Sequence, residues 1–387
     1  MDRARFAESV AAPDGVLIDF VCGIRIGIPR GTPPFTYQFT DADTGEIYDR
    51  QEAAGDPKQD CWLFTKRKYF VRWKVDLFRN GTCYFSHTFD ATGKKVLIDL
   101  SPGAIGDSAA WLPAAIAFIR KWRCRGIVCM RPEHIAPYAP AYSPEIAFIP
   151  NDDQKPNVAD TCYAYYRVAV FGYGDEDHER MDFRQNNLIR HADMILGVDS
   201  NMEPPLIVGE AEPNLPAFVK DATPYVCIAT RASRKCKEWN CSGGWDAVVA
   251  ALRWRGFQAV CIDADDHNLP AGAIDNTGKI PLPARIDVLK GCAFFIGLPS
   301  GLSWLAWACR KPVVMISGFT DAYVEFATPY RVEPPAGVCR GCWRNADQRL
   351  RQRFDNCFFD LDNECTRSIT PDMVIEKIDQ LIQQEAL

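Results

Sequence analysis

Four cysteines in the last quarter of the chain, Cys339, Cys342, Cys357 and Cys365, follow the spacing C-x2-C-x14-C-x7-C. A C-x2-C pair aims two sulfurs at one tetrahedral ion, and a second pair a loop away completes the shell. Thiolates are soft ligands that suit zinc or iron, and a closed shell of four has no open position, so the chemistry on offer is structural rather than catalytic. The rival account is four reduced thiols, or a disulfide pair, in a loop-rich tail. The remaining twelve of the sixteen cysteines supply that rival. They are scattered singly, as at Cys129, Cys162, Cys227, Cys261, Cys292 and Cys309, in the way a reducing cytosol uses cysteine as a small buried apolar residue.

Three other segments carry groups suited to an anionic ligand and a reacting hydroxyl. In Pro102-Gly103-Ala104-Ile105-Gly106-Asp107, glycines at the end of a strand let backbone approach a ligand, and the helix that follows offers free N–H groups. Asp107 stands at that helix start, either as a simple cap or as a general base at the mouth of a cleft. The second segment runs from Thr230 to Asn240, where Thr230, Arg231, Ser233 and Lys237 provide the donors and positive charge that a pyrophosphate needs. The third, Pro299-Ser300-Gly301-Leu302, is a small-residue loop opening a helix and suits phosphate or ribose, while Asp263 ends a strand where a carboxylate accepts from ribose. His87, His134, His178, His191 and His267 have no metal-ligand spacing.

The elements that must position these groups fall into three stretches. Residues 1–95 read as a β-rich assembly or acceptor domain, a small antiparallel sheet or barrel, with Asn80-Gly81 as a hairpin turn. Residues 96–215 alternate short apolar strands with amphipathic helices: strands at 96–100, 126–130, 146–149 and 167–171, helices near 109–122 and 183–196. A proline-rich link over 201–217 follows, and the rhythm restarts over 216–387, which also holds the cysteine finger at 339–365 and a final helix. Strand and helix alternating at this interval predict parallel sheets, and two such runs predict two doubly wound, Rossmann-like α/β domains facing across a cleft.

Composition limits the partners. A length of 387 residues with 47% hydrophobic content supplies more than one core, and a net charge of −6 argues against a nucleic-acid binder. The basic stretch Lys66, Arg67, Lys68 and Arg72 reads as the solvated side of a strand. No run approaches the length of a membrane span, and the charged start of the chain does not resemble a signal peptide, so a soluble cytoplasmic protein is expected.

Several of these residues resemble a known family. Gly106-Asp107 with Pro113 six positions on, Lys237-x-Trp239, and Ser300-Gly301-Leu302-Ser303 before Lys311-Pro312-Val313-Val314 resemble the heptosyltransferases of lipopolysaccharide core. Ile316-Ser317-Gly318-Phe319-Thr320, Glu325-Phe326, and Cys339-x2-Cys342-Trp343 with Cys357 and Cys365 look like the bacterial autotransporter heptosyltransferases, and the likeness spans nearly the whole chain. The resemblance implies a GT-B fold and ADP-heptose bound between the domains. It also implies O-linked transfer to serines of an autotransporter adhesin passenger in the cytoplasm, one iron ion (Fe3+) on the cysteine finger with zinc as the alternative, and a dodecamer. Asp107 would be the proton acceptor of an inverting displacement. Ala104, Ile105, Gly106, Thr230, Arg231, Ser233, Lys237, Asp263, Pro299, Ser300, Gly301, Leu302 and Glu325 would hold the donor. Where the lipopolysaccharide enzymes read Asp-Thr-Gly-Leu-Ser-His, this chain reads Pro299-Ser300-Gly301-Leu302-Ser303-Trp304, which leaves backbone groups and Ser300 to hold nucleotide there. The alternatives are a lipopolysaccharide core heptosyltransferase, which needs a basic and apolar membrane-facing surface, and a non-catalytic scaffold.

Overall fold

The computed structural model describes residues 6–153, 155–171, 177–212, 215–220, 223–265, 269–345, 357, 359 and 361–387. Short aliphatic runs at Lys95–Asp99, Arg125–Met130, Ile146–Pro150 and Ala164–Arg167 form parallel strands. Val96, Leu97 and Ile98 are all fully buried, as expected of a sheet covered on both faces. The order Ile146–Pro150, Arg125–Met130, Lys95–Asp99, Ala164–Arg167 puts the first of these strands beside the fourth. Winding reverses there and a crevice opens at the strand ends. The 18-residue helix Ile105–Trp122 starts from that crevice. The fourth strand lies earlier than the sequence pattern of 167–171 suggested, because Ala164 and Tyr166 supply its buried face.

The β-rich start is not a separate barrel. Leu17–Val21 pairs in parallel with Ala164–Arg167 through Phe20 opposite Ala164 and Val21 opposite Tyr165, and Arg25–Ile28 and Cys61–Phe64 continue the same sheet antiparallel. The rest forms a four-stranded antiparallel sheet in the order Ile47–Ala53, Phe35–Asp41, Trp73–Arg79, Thr82–Thr88. Its last hairpin turns at Asn80-Gly81, both with positive φ, as a two-residue loop requires. An aromatic seam joins the two parts: Phe89 meets Phe20 and Trp122 at 5.0 Å and Phe70 at 5.3 Å, all edge to face.

The second domain carries six parallel strands in the order Ile274–Asp275, Gln258–Cys261, Tyr225–Ile228, Phe295–Gly297, Val313–Ile316, Arg331–Val332. Counted within the domain this is 3-2-1-4-5-6, the arrangement of dinucleotide-binding sheets. Its switch point lies between Tyr225–Ile228 and Phe295–Gly297, so the loops beginning at Ala229 and Leu298 flank the crevice. The closing helix Pro371–Gln384 buries Val374, Ile378 and Leu381, one stripe at helical spacing, on this domain. The link between domains is tied down as well, with Leu206 N–H donating to Tyr142 Oη at 2.7 Å and Lys290 Nζ to Ile207 O at 2.9 Å. Among the described residues no helix is long and apolar enough to cross a membrane.

Candidate active site

The loop that carries Asp107 is anchored at its strand end. Asp99, wholly buried, accepts from Ser101 N–H at 3.0 Å, Ser101 Oγ at 2.6 Å, Lys155 Nζ at 3.1 Å and Tyr165 Oη at 2.9 Å. The backbone then passes Gly103, where a Cβ would lie 2.7 Å from the Trp111 ring, and enters the helix. Asp107 is the third helical residue, and its Oδ2 accepts from Ala104 N–H at 2.8 Å. It is therefore a cap, but its carboxylate also lines a cavity of ≈ 120 Å³ between the two domains. The side chain opens onto that cavity and is otherwise densely surrounded. Burial pushes its carboxyl above the ordinary value of 3.8, opposed by the Ala104 hydrogen bond and the charges of Lys237 and Arg131.

Lys237 lines the same cavity from the second domain. Its Nζ sits 5.2 Å from the centroid of the Phe319 ring. Burial pushes the ammonium below 10.5, and the negative charges of Asp107 and then Glu325 work the other way. Glu325, 4% exposed, pairs with Arg331 at 3.0 Å; burial raises its carboxyl and the Arg331 charge opposes the rise. Ser300 Oγ is buried with no hydrogen-bond partner among the described residues. It directly precedes the helix Gly301–Ala308, whose first N–H groups have no intrahelical acceptor.

Two glycines let the lobes touch here. A Cβ on Gly301 would lie 2.3 Å from Ile105 Cγ2, and one on Gly106 would lie 2.9 Å from the Trp304 ring. The N-terminal ends of two helices therefore meet at one cavity, a positive environment that favours an anion. Gly301→Ala is expected to wedge the lobes apart, since helical, β-branched Ile105 has little rotamer freedom to yield. Overpacking of this kind costs about 1–3 kcal/mol; a lower melting temperature together with weaker ADP binding by calorimetry checks it.

Asp107, expected as the proton acceptor, lines this cavity, and so do Ala104, Gly106, Ser233, Lys237, Pro299, Ser300, Gly301 and Glu325 of the residues expected to hold a donor. Ile105, Thr230, Arg231, Asp263 and Leu302 do not. Asp263, 2% exposed, is occupied in accepting from Thr230 N–H at 2.9 Å, Thr230 Oγ1 at 2.8 Å and Arg231 N–H at 3.2 Å, so it shapes the loop. Arg231 pairs with Glu238 at 3.3 Å. Leu188, Trp304, Thr320, Val324 and Trp343 also line the cavity. No local pattern marks Leu188 or Val324, which meet because Asn187 Nδ2 donates to Tyr323 O at 2.9 Å and Glu325 O at 2.7 Å across the domain boundary.

The cysteine finger lies directly behind. Cys339-Arg340-Gly341-Cys342 turns through Gly341, with φ +75, and Gly341 N–H donates to Gly318 O at 3.0 Å. Gly318 packs against Cys365, to whose Sγ a Cβ would approach within 3.0 Å. Leu361 N–H donates to Cys357 Sγ at 3.3 Å. Burial, reinforced by the other cysteines, pushes Cys342 to about 12 and Cys365 to about 11, and raises Cys339. No group of three or more metal-ligating side chains among the described residues is arranged to hold an ion. The chemistry of the set nonetheless fits one, because a cation reverses the penalty for gathering thiolates.

Two doubly wound domains meeting at their switch points, with a carboxylate on one side and a lysine on the other, define a GT-B-like α/β glycosyltransferase. The description Glycosyltransferase family 9 (heptosyltransferase) matches residues 209–334. The autotransporter heptosyltransferase BAHTCr of Citrobacter rodentium is 37% identical over 388 residues, 95% of this chain and 90% of that one. TibC of Escherichia coli O78:H11 is 37% identical over 390 residues, 96% of this chain and 91% of its own. A crystal structure of TibC, described as a dodecameric iron-containing heptosyltransferase in complex with ADP-D-beta-D-heptose, superposes with a TM-score of 0.85 at 36% identity and covers 97% of each chain. The chain belongs to the autotransporter heptosyltransferase family. Membership does not by itself guarantee turnover: BimC of Burkholderia thailandensis, 35% identical over 345 residues (86% of this chain, 77% of that one), is an inactive autotransporter heptosyltransferase.

Proposed function

We propose that this chain moves heptose from ADP-heptose to serine hydroxyls of an autotransporter adhesin passenger in the cytoplasm, with inversion at the anomeric carbon. The observation that carries this reading is the convergence of Asp107 and Lys237 on one inter-domain cavity. Asp107 takes the serine proton as the oxygen bonds to the anomeric carbon. The bond from that carbon to the diphosphate oxygen breaks, and ADP leaves with the electron pair. Lys237, Ser300 and the N–H groups opening the helix Gly301–Ala308 receive the growing negative charge. A carboxyl raised by its surroundings is a stronger base than an ordinary aspartate.

Iron is proposed for the cysteine finger, held by Cys339, Cys342, Cys357 and Cys365, where it would supply a structural cross-link; a dodecameric assembly is proposed with it. The dodecameric, iron-containing structure of TibC supports both. Incubation with ADP-heptose and purified passenger, read by intact mass, should add one heptose per modified serine. An unchanged mass, with TibC active on the same passenger, would remove the assignment. Lys237→Ala should weaken ADP binding by about 10- to 100-fold, the range for a hydrogen bond to a charged group, and calorimetry with ADP alone measures it.

A further inference from the structure

Trp343 belongs to the finger by position and to the cavity by contact. It follows Cys342 directly and lines the inter-domain cavity. Its indole Nε1–H is buried with no hydrogen-bond partner among the described residues, and an unpaired buried donor is costly unless a ligand satisfies it. The ring is braced on both sides: 5.5 Å from Phe183 of the first domain and 6.2 Å from Phe319, whose carbonyl accepts from Trp343 N–H at 3.1 Å. Phe319 is the ring beneath Lys237 Nζ, and Phe319, Cys236 and Cys342 form one buried cluster. An ionic line runs in parallel: Arg340, inside the C-x2-C turn, pairs with Glu333 at 2.7 Å, Glu333 with Arg331 at 3.1 Å, and Arg331 with Glu325 at 3.0 Å. Both charged groups on the second domain's side of the cavity are thus linked to the finger, Lys237 through Phe319 and Glu325 through Arg331 and Glu333.

We infer that Trp343 is a donor-binding residue, its indole N–H donating to an oxygen of the bound sugar nucleotide, and that through it metal retention by the finger and donor binding are coupled. This rests on the cavity being the ADP-heptose site and on the finger holding a metal. Coupling between two sites is reciprocal: whatever factor the finger's metal adds to donor affinity, the donor adds to metal affinity. Trp343→Phe keeps the ring and removes the N–H; Arg340→Gln interrupts the ionic line at an exposed position.

The test uses the metal-loaded protein. Binding of ADP and of ADP-heptose is measured by calorimetry, and metal release to a colorimetric chelator is timed with and without saturating ADP-heptose. The expected results are slower metal release in the presence of ADP-heptose, ADP-heptose affinity about tenfold lower in Trp343→Phe, as the loss of one hydrogen bond predicts, and a reduced protection of the metal in both variants. Binding of ADP-heptose with an unchanged release rate, and wild-type affinity in Trp343→Phe, would overturn the inference while leaving the active site standing. Failure of the wild type to bind either nucleotide would overturn both, and protein that purifies without metal would remove the coupling alone.

Discussion

Asp107→Asn should bind ADP-heptose with near wild-type affinity and transfer almost nothing. A positioned general base contributes about 10²- to 10⁴-fold, or roughly 3–5 kcal/mol of barrier, and asparagine keeps the shape and the bond from Ala104 N–H while giving up the proton-accepting charge. Single-turnover transfer to the passenger measures the loss, and retention of more than a tenth of the wild-type rate would take Asp107 out of the role. The pH dependence follows from the same surroundings. Burial holds the Asp107 carboxyl above 3.8, so the acid limb of kcat/KM should lie above that of an ordinary aspartate. Lys237 opposes the rise, so Lys237→Met should move the limb further up. The effect on stability has the opposite sign to the effect on rate. A carboxyl whose pKa is higher folded than unfolded contributes stability below its unfolded value and loses it as pH rises through the folded one. At any pH above the folded value, ionised Asp107 therefore costs stability, and there Asp107→Asn should melt no lower than the wild type.

Cys365→Ser is expected to be the most disruptive single change. Structural thiolate sites hold on the order of 10 kcal/mol of apparent binding energy, and Cys365 is 7% exposed, packed on Gly318 beneath the turn that leads to Phe319 and Thr320. Loss of this proposed ligand should leave purified protein without stoichiometric metal by elemental analysis. The purified variant should then be cut by protease under conditions where the wild type resists. Intact metal content in Cys365→Ser would show that the fourth ligand is another residue.

The alternating strand and helix rhythm of the second domain is legible in the sequence. The loops after its first and fourth strands stand out as a candidate site because short buried strands ending in small or charged residues leave few other places for a ligand. Less was legible where polarity hides a strand. Ile47–Ala53 (IYDRQEA) lies at a sheet edge with most side chains in water, and nothing in its composition announces a strand. For Asp263 the sequence shows only a strand end that suits ribose, and the folded loop adds that Thr230 and Arg231 donate to its oxygens. Leu188 and Val324 required long-range contacts that no spacing encodes. Trp343, by contrast, stands directly beside Cys342, but a closed four-thiolate spacing points to structure and gives no sign that its neighbour faces the cavity.

The parallel pairing of Leu17–Val21 with Ala164–Arg167 bears on how small a working enzyme this fold permits. The strand next to the one that launches the Asp107 loop would, without its N-terminal neighbour, present a bare row of backbone donors and acceptors to other chains. The opening segment is thus a permanent sheath for the first lobe, and a protein trimmed to its two nucleotide-binding-like lobes would trade that sheath for a sticky flank.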